Sequence, residues 1–227
     1  MTVSIVGDSI STFQGCNPPG YAVYYNREMC ARNGLTGVKD TWWAQVNQYL
    51  GADLCVNNSF SGSRVTGEGF PSAVSAERLS HLRTEEHSPD MILIYMGFND
   101  YGYGVKVSEG SFISVGGQNR RIFSDAYDIL LSELKRRYPD ADIVCGTLMR
   151  TFISYNAGWT FPEACVGGIF EDFNTAIRKA CAHQGCLLAD VSAGGKPYET
   201  LDGAHPTADG HRTIAEAWIG CLRQLPL

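Results

Sequence analysis

Five short hydrophobic runs, each bounded by Gly, Asp or Asn, are spaced along the whole chain. Nearly every position within a run is apolar, which is typical of parallel strands that are buried on both faces. The runs therefore predict five strands, at residues 3–6, 54–57, 91–96, 143–147 and 187–191.

The segments between these runs carry apolar residues at the spacing of amphipathic helices. Asp40 is placed to cap a helix that contains Trp42 and Trp43, and Pro206 stands at the start of the last helix. The other helical patterns cover residues 72–82, 122–138, 162–183 and 207–222. Strands that alternate with helices imply a parallel sheet covered on both faces. We therefore predict an α/β fold, a three-layer α/β/α sandwich with a five-stranded parallel sheet, in a single domain over residues 1–227.

Three connections, at residues 11–39, 101–121 and 150–161, are much longer than a turn between a strand and a helix requires. Each follows a strand, and open α/β sheets bind their ligands outside the carboxyl ends of the strands. These insertions are expected to surround the ligand.

Composition narrows the possible partners. The 227 residues carry a net charge of −6 without a run of basic residues, so nucleic acid and anionic membrane surfaces are not expected partners. No apolar stretch approaches membrane-spanning length, and the first residues lead directly into a strand instead of a signal peptide. The eight cysteines form no CxxC pair, and several fall in strand or helix patterns that suit buried reduced thiols. These features predict a cytoplasmic protein without stable membrane insertion or a metal site.

Residues with catalytic potential follow four of the predicted strands. Ser9 follows the first strand in the sequence Gly-Asp-Ser, which by itself would be an ordinary turn. Gly62 follows the second strand, Asn99 the third, and the segment from Asp202 to His205 follows the fifth. A glycine N–H and an asparagine amide are donors that can hold an oxyanion. Because the carboxyl ends of parallel strands share one edge, these residues are expected to meet there.

Asp202 and His205 are three residues apart in a predicted turn, so the carboxylate can accept the Nδ1 proton of the imidazole. Nε2 is then free to take a proton from Ser9, which completes a set of nucleophile, base and orienting acid. His211 is the rival base, but it lies further along the last helix in a polar stretch, where we expect a solvated surface position.

Four segments together resemble the signature blocks of the SGNH/GDSL hydrolases: Gly7-Asp8-Ser9, Gly62, Gly97-Phe98-Asn99-Asp100 and Asp202-Gly-Ala-His205. They occur in the order of that family and span almost the whole chain. The resemblance implies a flavodoxin-like sheet, with Ser9 as nucleophile, His205 as base and Asp202 as its orienting acid. It also implies an oxyanion hole made by the backbone N–H groups of Ser9 and Gly62 and by the Asn99 amide. The family motif often has Leu where this chain has Ile10, a change that retains an apolar side chain.

The substrate has to be inferred from the three insertions, which are rich in aromatic residues. Such rings can stack on sugars or can pack the loops against themselves, and the sequence leaves both open. Tyr25, Tyr101 and Trp159 are the candidate substrate-binding residues. We expect an esterase that removes a short acyl group from a small-molecule or glycan ester, and an acetyl group on a sugar is the preferred case. The reaction is expected to need neither a metal nor an organic cofactor.

Other functions stay open on the sequence alone. An acylhydrolase of the lysophospholipase or thioesterase type would use the same serine chemistry. A phosphoesterase could use Asp8, Asp100, Asp202 and His205 as ligands of a divalent metal. A carbohydrate-binding module with a vestigial site is the non-enzymatic alternative.

Overall fold

The computed structural model describes residues 1–226, and within them the chain alternates between strands and helices. The strands in this range are β1 (Thr2–Gly7), β2 (Asp53–Ser59), β3 (Met91–Tyr95), β4 (Asp142–Gly146), β5 (Thr151–Ile153), β6 (Ala164–Cys165), β7 (Gly168–Ile169), β8 (Leu187–Ala189) and β9 (Tyr198–Thr200). The helices are α1 (Arg27–Arg32), α2 (Trp42–Leu50), α3 (Ala76–Ser80), α4 (Phe98–Gly102), α5 (Phe123–Arg137), α6 (Phe170–Gln184) and α7 (Ala208–Leu222).

The central sheet has five strands in the order β2-β1-β3-β4-β8, and all neighbouring pairs are parallel. All five strands were predicted from the hydrophobic runs, and this order is that of the flavodoxin-like folds. The chain runs from β1 outward to β2 and then returns to β3 on the other side of β1. The carboxyl end of β1 therefore lies at the point where the winding reverses, where such sheets bind ligands.

Helices cover both faces of this sheet. The α2 and α7 helices pack together, with the rings of Trp42 and Trp218 stacked at 5.1 Å between centroids. On β4, a Cβ atom at Gly146 would lie 2.3 Å from Trp218, so only glycine admits α7 at this distance. The preceding residue, Cys145, contacts Cys181 of α6. Since neighbouring residues of a strand point to opposite faces, α7 and α6 lie on opposite sides, and the structure is the predicted three-layer sandwich.

Three predicted helices begin elsewhere than the sequence indicated. The hydroxyl of Thr41, and not the Asp40 carboxylate, caps α2 by accepting a hydrogen bond from Ala44 N. Asp40 instead accepts from the backbone N–H and hydroxyl of Thr36 in the preceding turn. The pattern at 162–183 forms a helix only from Phe170 onward, because residues 164–169 pair as the β6–β7 hairpin. The pattern at 72–82 becomes the short α3 alone.

A second, two-stranded parallel sheet joins β5 to β9. It lies outside the alternation that the hydrophobic runs predicted, because neither strand is a continuous apolar run. The segment after β9 turns back, with Thr200 bridged to Pro206 ahead of α7. This small sheet therefore holds the Asp202 to His205 turn in place.

None of the helices within residues 1–226 is long and apolar enough to cross a membrane. All eight cysteines are free thiols.

Candidate active site

Ser9 begins a short 3₁₀ helix directly after β1. The Asp8 carboxylate caps this helix by accepting from Ile10 N at 3.0 Å, and the Ser9 carbonyl accepts from the Thr12 hydroxyl at 3.0 Å. A Cβ atom at Gly7 would lie 2.5 Å from the Cβ of Ser11, so the sharp turn requires glycine there. The local sequence thus fixes Ser9 at the carboxyl end of β1.

The structure brings His205 and Asp202 to Ser9. His205 Nε2 lies 3.0 Å from Ser9 Oγ, and His205 Nδ1 lies 2.8 Å from Asp202 Oδ2. The other carboxylate oxygen, Asp202 Oδ1, accepts from the backbone N–H groups of Ala204 and His205. Partial burial raises the pKa of Asp202, but the hydrogen bonds from His205 and these N–H groups outweigh it, and the pKa falls well below its ordinary value. A charged Asp202 can only accept, so Nδ1 carries the imidazole proton and Nε2 faces Ser9 as an acceptor.

Gly62 lies on a tight turn beside the end of β1. Its φ of +78° is in the left-handed region that favours glycine, and the turn closes with Ser63 N donating to the Phe60 carbonyl at 3.1 Å. Phe60 N in turn donates to the carbonyl of Gly7, two residues before Ser9. Within residues 1–226, the N–H groups of Gly62 and Ser9 donate to no other protein group. Both are free to bind a ligand oxygen.

Asn99 lies in the first turn of α4, directly after β3. One N–H of its amide donates to the Ser63 carbonyl at 2.8 Å, in the same turn as Gly62. The amide group has a second N–H that this bond leaves unused. Asn99 and the Gly62 turn are therefore linked directly, as a pair of donors for one oxyanion requires.

Two buried charged residues, neither of which the sequence pattern marks for this role, stabilise this turn. Asp100 accepts from Val65 N, Thr66 N and the Thr66 hydroxyl, so both of its carboxylate oxygens are engaged and it is unavailable as the metal ligand of the phosphoesterase hypothesis. The Arg78 guanidinium donates to the Gly7 carbonyl and to Ser63 Oγ. In sequence, Arg78 looks like any surface arginine of a short helix, so no signal marked it.

Asp8 is the third buried charged group near Ser9. One carboxylate oxygen, Oδ2, has no hydrogen-bond partner among the described residues. Burial raises the pKa of Asp8 to about 7, against opposing effects of the Ile10 N–H and the nearby His205 and Arg78. Near pH 7, the Asp8 side chain is therefore protonated and uncharged in part of the molecules.

Tyr24 contacts both members of the His205–Asp202 pair, although the sequence pattern indicated its neighbour Tyr25 as the residue near the substrate. Its ring stacks on the His205 imidazole with 3.5 Å between centroids and 5° between planes. Its hydroxyl lies 3.3 Å from Asp202 Oδ2. The position of Tyr24 in a long insertion gave no sequence signal, because the contact bridges 181 residues along the chain, from 24 to 205.

A family model described as GDSL-like lipase/acylhydrolase matches residues 1–219. The chain belongs to this family. The resemblance found in the four sequence blocks is confirmed, and the protein is a member of a hydrolase family. No curated protein sequence shows significant similarity to the chain.

Solved structures of GDSL-like proteins have the same fold over the whole chain. One, described as a GDSL-like lipase from Bacteroides ovatus, is 25% identical with a TM-score of 0.76, and the match covers 99% of this chain and 98% of that one. A second, from Bacteroides uniformis, is 26% identical with a TM-score of 0.71 and covers 99% and 96%. A family two carbohydrate esterase from Clostridium thermocellum, in complex with cellohexaose, shares the fold at 20% identity and a TM-score of 0.57, with 98% of this chain matching 63% of that one.

Two of the three predicted substrate-binding residues of this GDSL-like protein are buried, and that prediction is wrong for them. Tyr25 is fully buried and donates its hydroxyl to the Pro206 carbonyl at 2.7 Å. Tyr101 is buried among phenylalanine rings and donates to the Pro162 carbonyl. Both rings pack the insertions against the domain. Trp159 is half-buried and its ring lies against Gly203, inside the Asp202 to His205 turn.

The expectation of a surface position for His211 is also wrong. The side chain is fully buried, and its Nδ1 accepts a hydrogen bond from Trp42 N at 3.2 Å. Burial lowers the pKa of His211 to about 3, so the imidazole is neutral in the folded GDSL-like protein. The polar residues around it in sequence face outward, whereas His211 itself faces α2.

Proposed function

We propose that this protein is a serine esterase that hydrolyses short-acyl esters, with acetylated carbohydrates as the preferred substrate class. The observation that carries the proposal is the continuous chain of hydrogen bonds from Ser9 Oγ to His205 Nε2 at 3.0 Å, and from Nδ1 to Asp202 at 2.8 Å. Membership of the GDSL-like hydrolase family supports the reaction class.

In the proposed first step, Ser9 Oγ attacks the carbonyl carbon of the ester while His205 Nε2 takes the hydroxyl proton. The carbonyl oxygen becomes an oxyanion, which accepts from Ser9 N–H, Gly62 N–H and the unused N–H of Asn99. Collapse of this intermediate expels the alcohol, which receives the proton from His205. Asp202 stays ionised throughout and stabilises the imidazolium.

In the second step, water attacks the acyl group on Ser9. His205 takes a proton from that water, a second oxyanion forms in the same place, and its collapse releases the carboxylic acid. The proton on His205 returns to Ser9 Oγ. No cofactor takes part in these proposed reaction steps.

Two observations support a small, polar substrate. A pocket of about 290 Å³ adjoins Gly62, and apart from Phe70 and Pro71 it is lined by glycines and by polar residues, among them Ser63, Arg64 and Thr66. Such walls suit a short acyl group or a sugar hydroxyl better than a long alkyl chain. The carbohydrate esterase from Clostridium thermocellum has the same fold, which adds support for a sugar ester.

The reaction class is tested by Ser9→Ala, with Ser132→Ala on the exposed face of α5 as the matched control. On p-nitrophenyl acetate we expect kcat to fall roughly a thousandfold or more in Ser9→Ala, because no nucleophile remains, and to be unchanged in Ser132→Ala. Hydrolysis that persists in Ser9→Ala would contradict the proposal. Binding of sugars without any ester hydrolysis would favour the carbohydrate-binding alternative.

The substrate class is tested with p-nitrophenyl esters of acetate, butyrate and decanoate, alongside acetylated oligosaccharides. We expect kcat/KM to fall as the acyl chain lengthens, and acetate to be released from the sugars only when Ser9 is present. A preference for decanoate would favour an acylhydrolase of the lysophospholipase type instead.

A further inference from the structure

Tyr24 is held against the catalytic pair by contacts on both sides of the site. Its backbone N–H donates to the Thr12 hydroxyl at 2.9 Å, and that hydroxyl donates to the Ser9 carbonyl at 3.0 Å. Tyr24 is thus attached to the turn that carries the nucleophile.

The neighbouring residue attaches Tyr24 to the other half of the site. The Tyr25 ring meets Tyr24 edge-on, with 4.9 Å between centroids, and its hydroxyl donates to the carbonyl of Pro206, the residue after His205. Because Tyr25 is fully buried, this contact is rigid. The two tyrosines therefore connect the Ser9 turn to the His205 turn, which are otherwise 196 residues apart.

The stacked ring restricts what the imidazole can do. It covers one face of His205, so the imidazole cannot rotate about χ2 without displacing Tyr24. A flat imidazole held edge-on to Ser9 keeps Nε2 on the line to Oγ and Nδ1 on the line to Asp202. An aromatic face also attracts the imidazolium cation that forms when His205 takes the proton.

We propose that Tyr24 is a positioning residue for the His205–Asp202 pair, acting through the stack on the imidazole and only weakly through its hydroxyl. The hydroxyl contact to Asp202, at 3.3 Å, is long for an O–H donor. This inference rests on the proposed function, because it assigns Tyr24 a part in the same reaction.

Three substitutions separate the stack from the hydroxyl. Tyr24→Leu removes the aromatic face, Tyr24→Phe keeps it without the hydroxyl, and Tyr49→Leu removes an exposed tyrosine of α2 as the control. Since a misplacement of about 1 Å at a reacting group can cost a hundredfold, we expect kcat on p-nitrophenyl acetate to fall about tenfold or more in Tyr24→Leu with KM nearly unchanged. In Tyr24→Phe, kcat should fall by no more than about threefold, and in Tyr49→Leu it should equal the wild-type value.

A spectroscopic measurement checks the stack independently of activity. In protein labelled with ¹³C-histidine, the ring protons of His205 lie in the shielding region above the Tyr24 ring, so their resonances should move downfield in Tyr24→Leu and stay in place in Tyr24→Phe. A wild-type kcat in Tyr24→Leu, or equal losses in the Leu and Phe variants, would overturn the positioning role. If instead wild-type hydrolysis did not depend on Ser9, the proposed function itself would fail, which the Ser9→Ala assay reveals separately.

Discussion

At the scale of single residues, the site depends on side chains whose polar groups are held in place by hydrogen bonds within the protein. Asp202 uses Oδ1 to hold its own turn and Oδ2 to hold His205. Asn99 uses one amide N–H to fix itself to the Gly62 turn. This arrangement keeps the donors rigid before a substrate arrives, which is the condition under which they stabilise a transition state best.

Substitution of Asn99 by Ala tests this view. We expect kcat on p-nitrophenyl acetate to fall roughly a hundredfold or more, because one oxyanion donor is lost. Asn99 is only half-buried, so the variant should still fold, and a thermal melt followed by circular dichroism will check this. A folded Asn99→Ala protein with full kcat would show that the amide does not contact the oxyanion.

At the scale of elements, the start of α2 supports the nucleophile. The indole Nε1 of Trp42, at the first position of the helix, donates to Ser11 Oγ at 3.1 Å, two residues after Ser9. Thr41 sets where this helix begins: its buried hydroxyl accepts from Ala44 N and donates to the Val38 carbonyl at 2.7 Å. The helix start and the nucleophile turn are therefore one packed unit.

Thr41→Ala is expected to lower the free energy of unfolding by about 1 kcal/mol, since the helix loses its cap and the partly buried Val38 carbonyl keeps only the Thr41 N–H of its two donors. Gln48→Ala, on the exposed side of the same helix, should change it by less than about 0.5 kcal/mol. Urea unfolding of both variants measures the difference. Equal stability of the two would mean that the capping bond contributes nothing.

At the scale of the whole molecule, two buried groups oppose each other in their effect on stability. Burial raises the pKa of Asp8 to about 7, so its stabilising contribution is present below its ordinary pKa near 4 and is lost as pH rises towards 7. Burial lowers the pKa of His211 to about 3, so its contribution is present above its ordinary pKa of 6.5 and is lost as pH falls towards 3. Between pH 4 and 6.5 the two effects partly cancel.

The substitution His211→Asn isolates the contribution of His211 to the pH dependence of stability. The asparagine carbonyl can still accept from Trp42 N but does not titrate, so the variant should lose less stability than the wild type as pH falls from 6.5 to 4.5. The free energies of unfolding of the two proteins should diverge by up to about 1.4 kcal/mol per pH unit, the value for the uptake of one proton. Urea unfolding at several pH values measures it. Parallel pH dependences of the two proteins would show that His211 is not held neutral by the fold.

The five strands, their parallel arrangement and the sheet edge at which Ser9, Gly62 and Asn99 lie follow from the amino-acid sequence alone. The physical reason is local: short continuous apolar runs that alternate with amphipathic helices favour buried parallel strands, and residues that directly follow such strands lie at the same edge of the sheet.

Only contacts between distant segments place the Asp202 to His205 turn, through the β5–β9 sheet, and determine which side chains face the site and which face the core. Tyr24 and Tyr25 are adjacent in sequence, yet one stacks on His205 and the other is buried beneath it. His211 lies in a polar stretch but packs against α2. These outcomes depend on contacts between segments more than a hundred residues apart, and a local pattern carries no record of its distant partner.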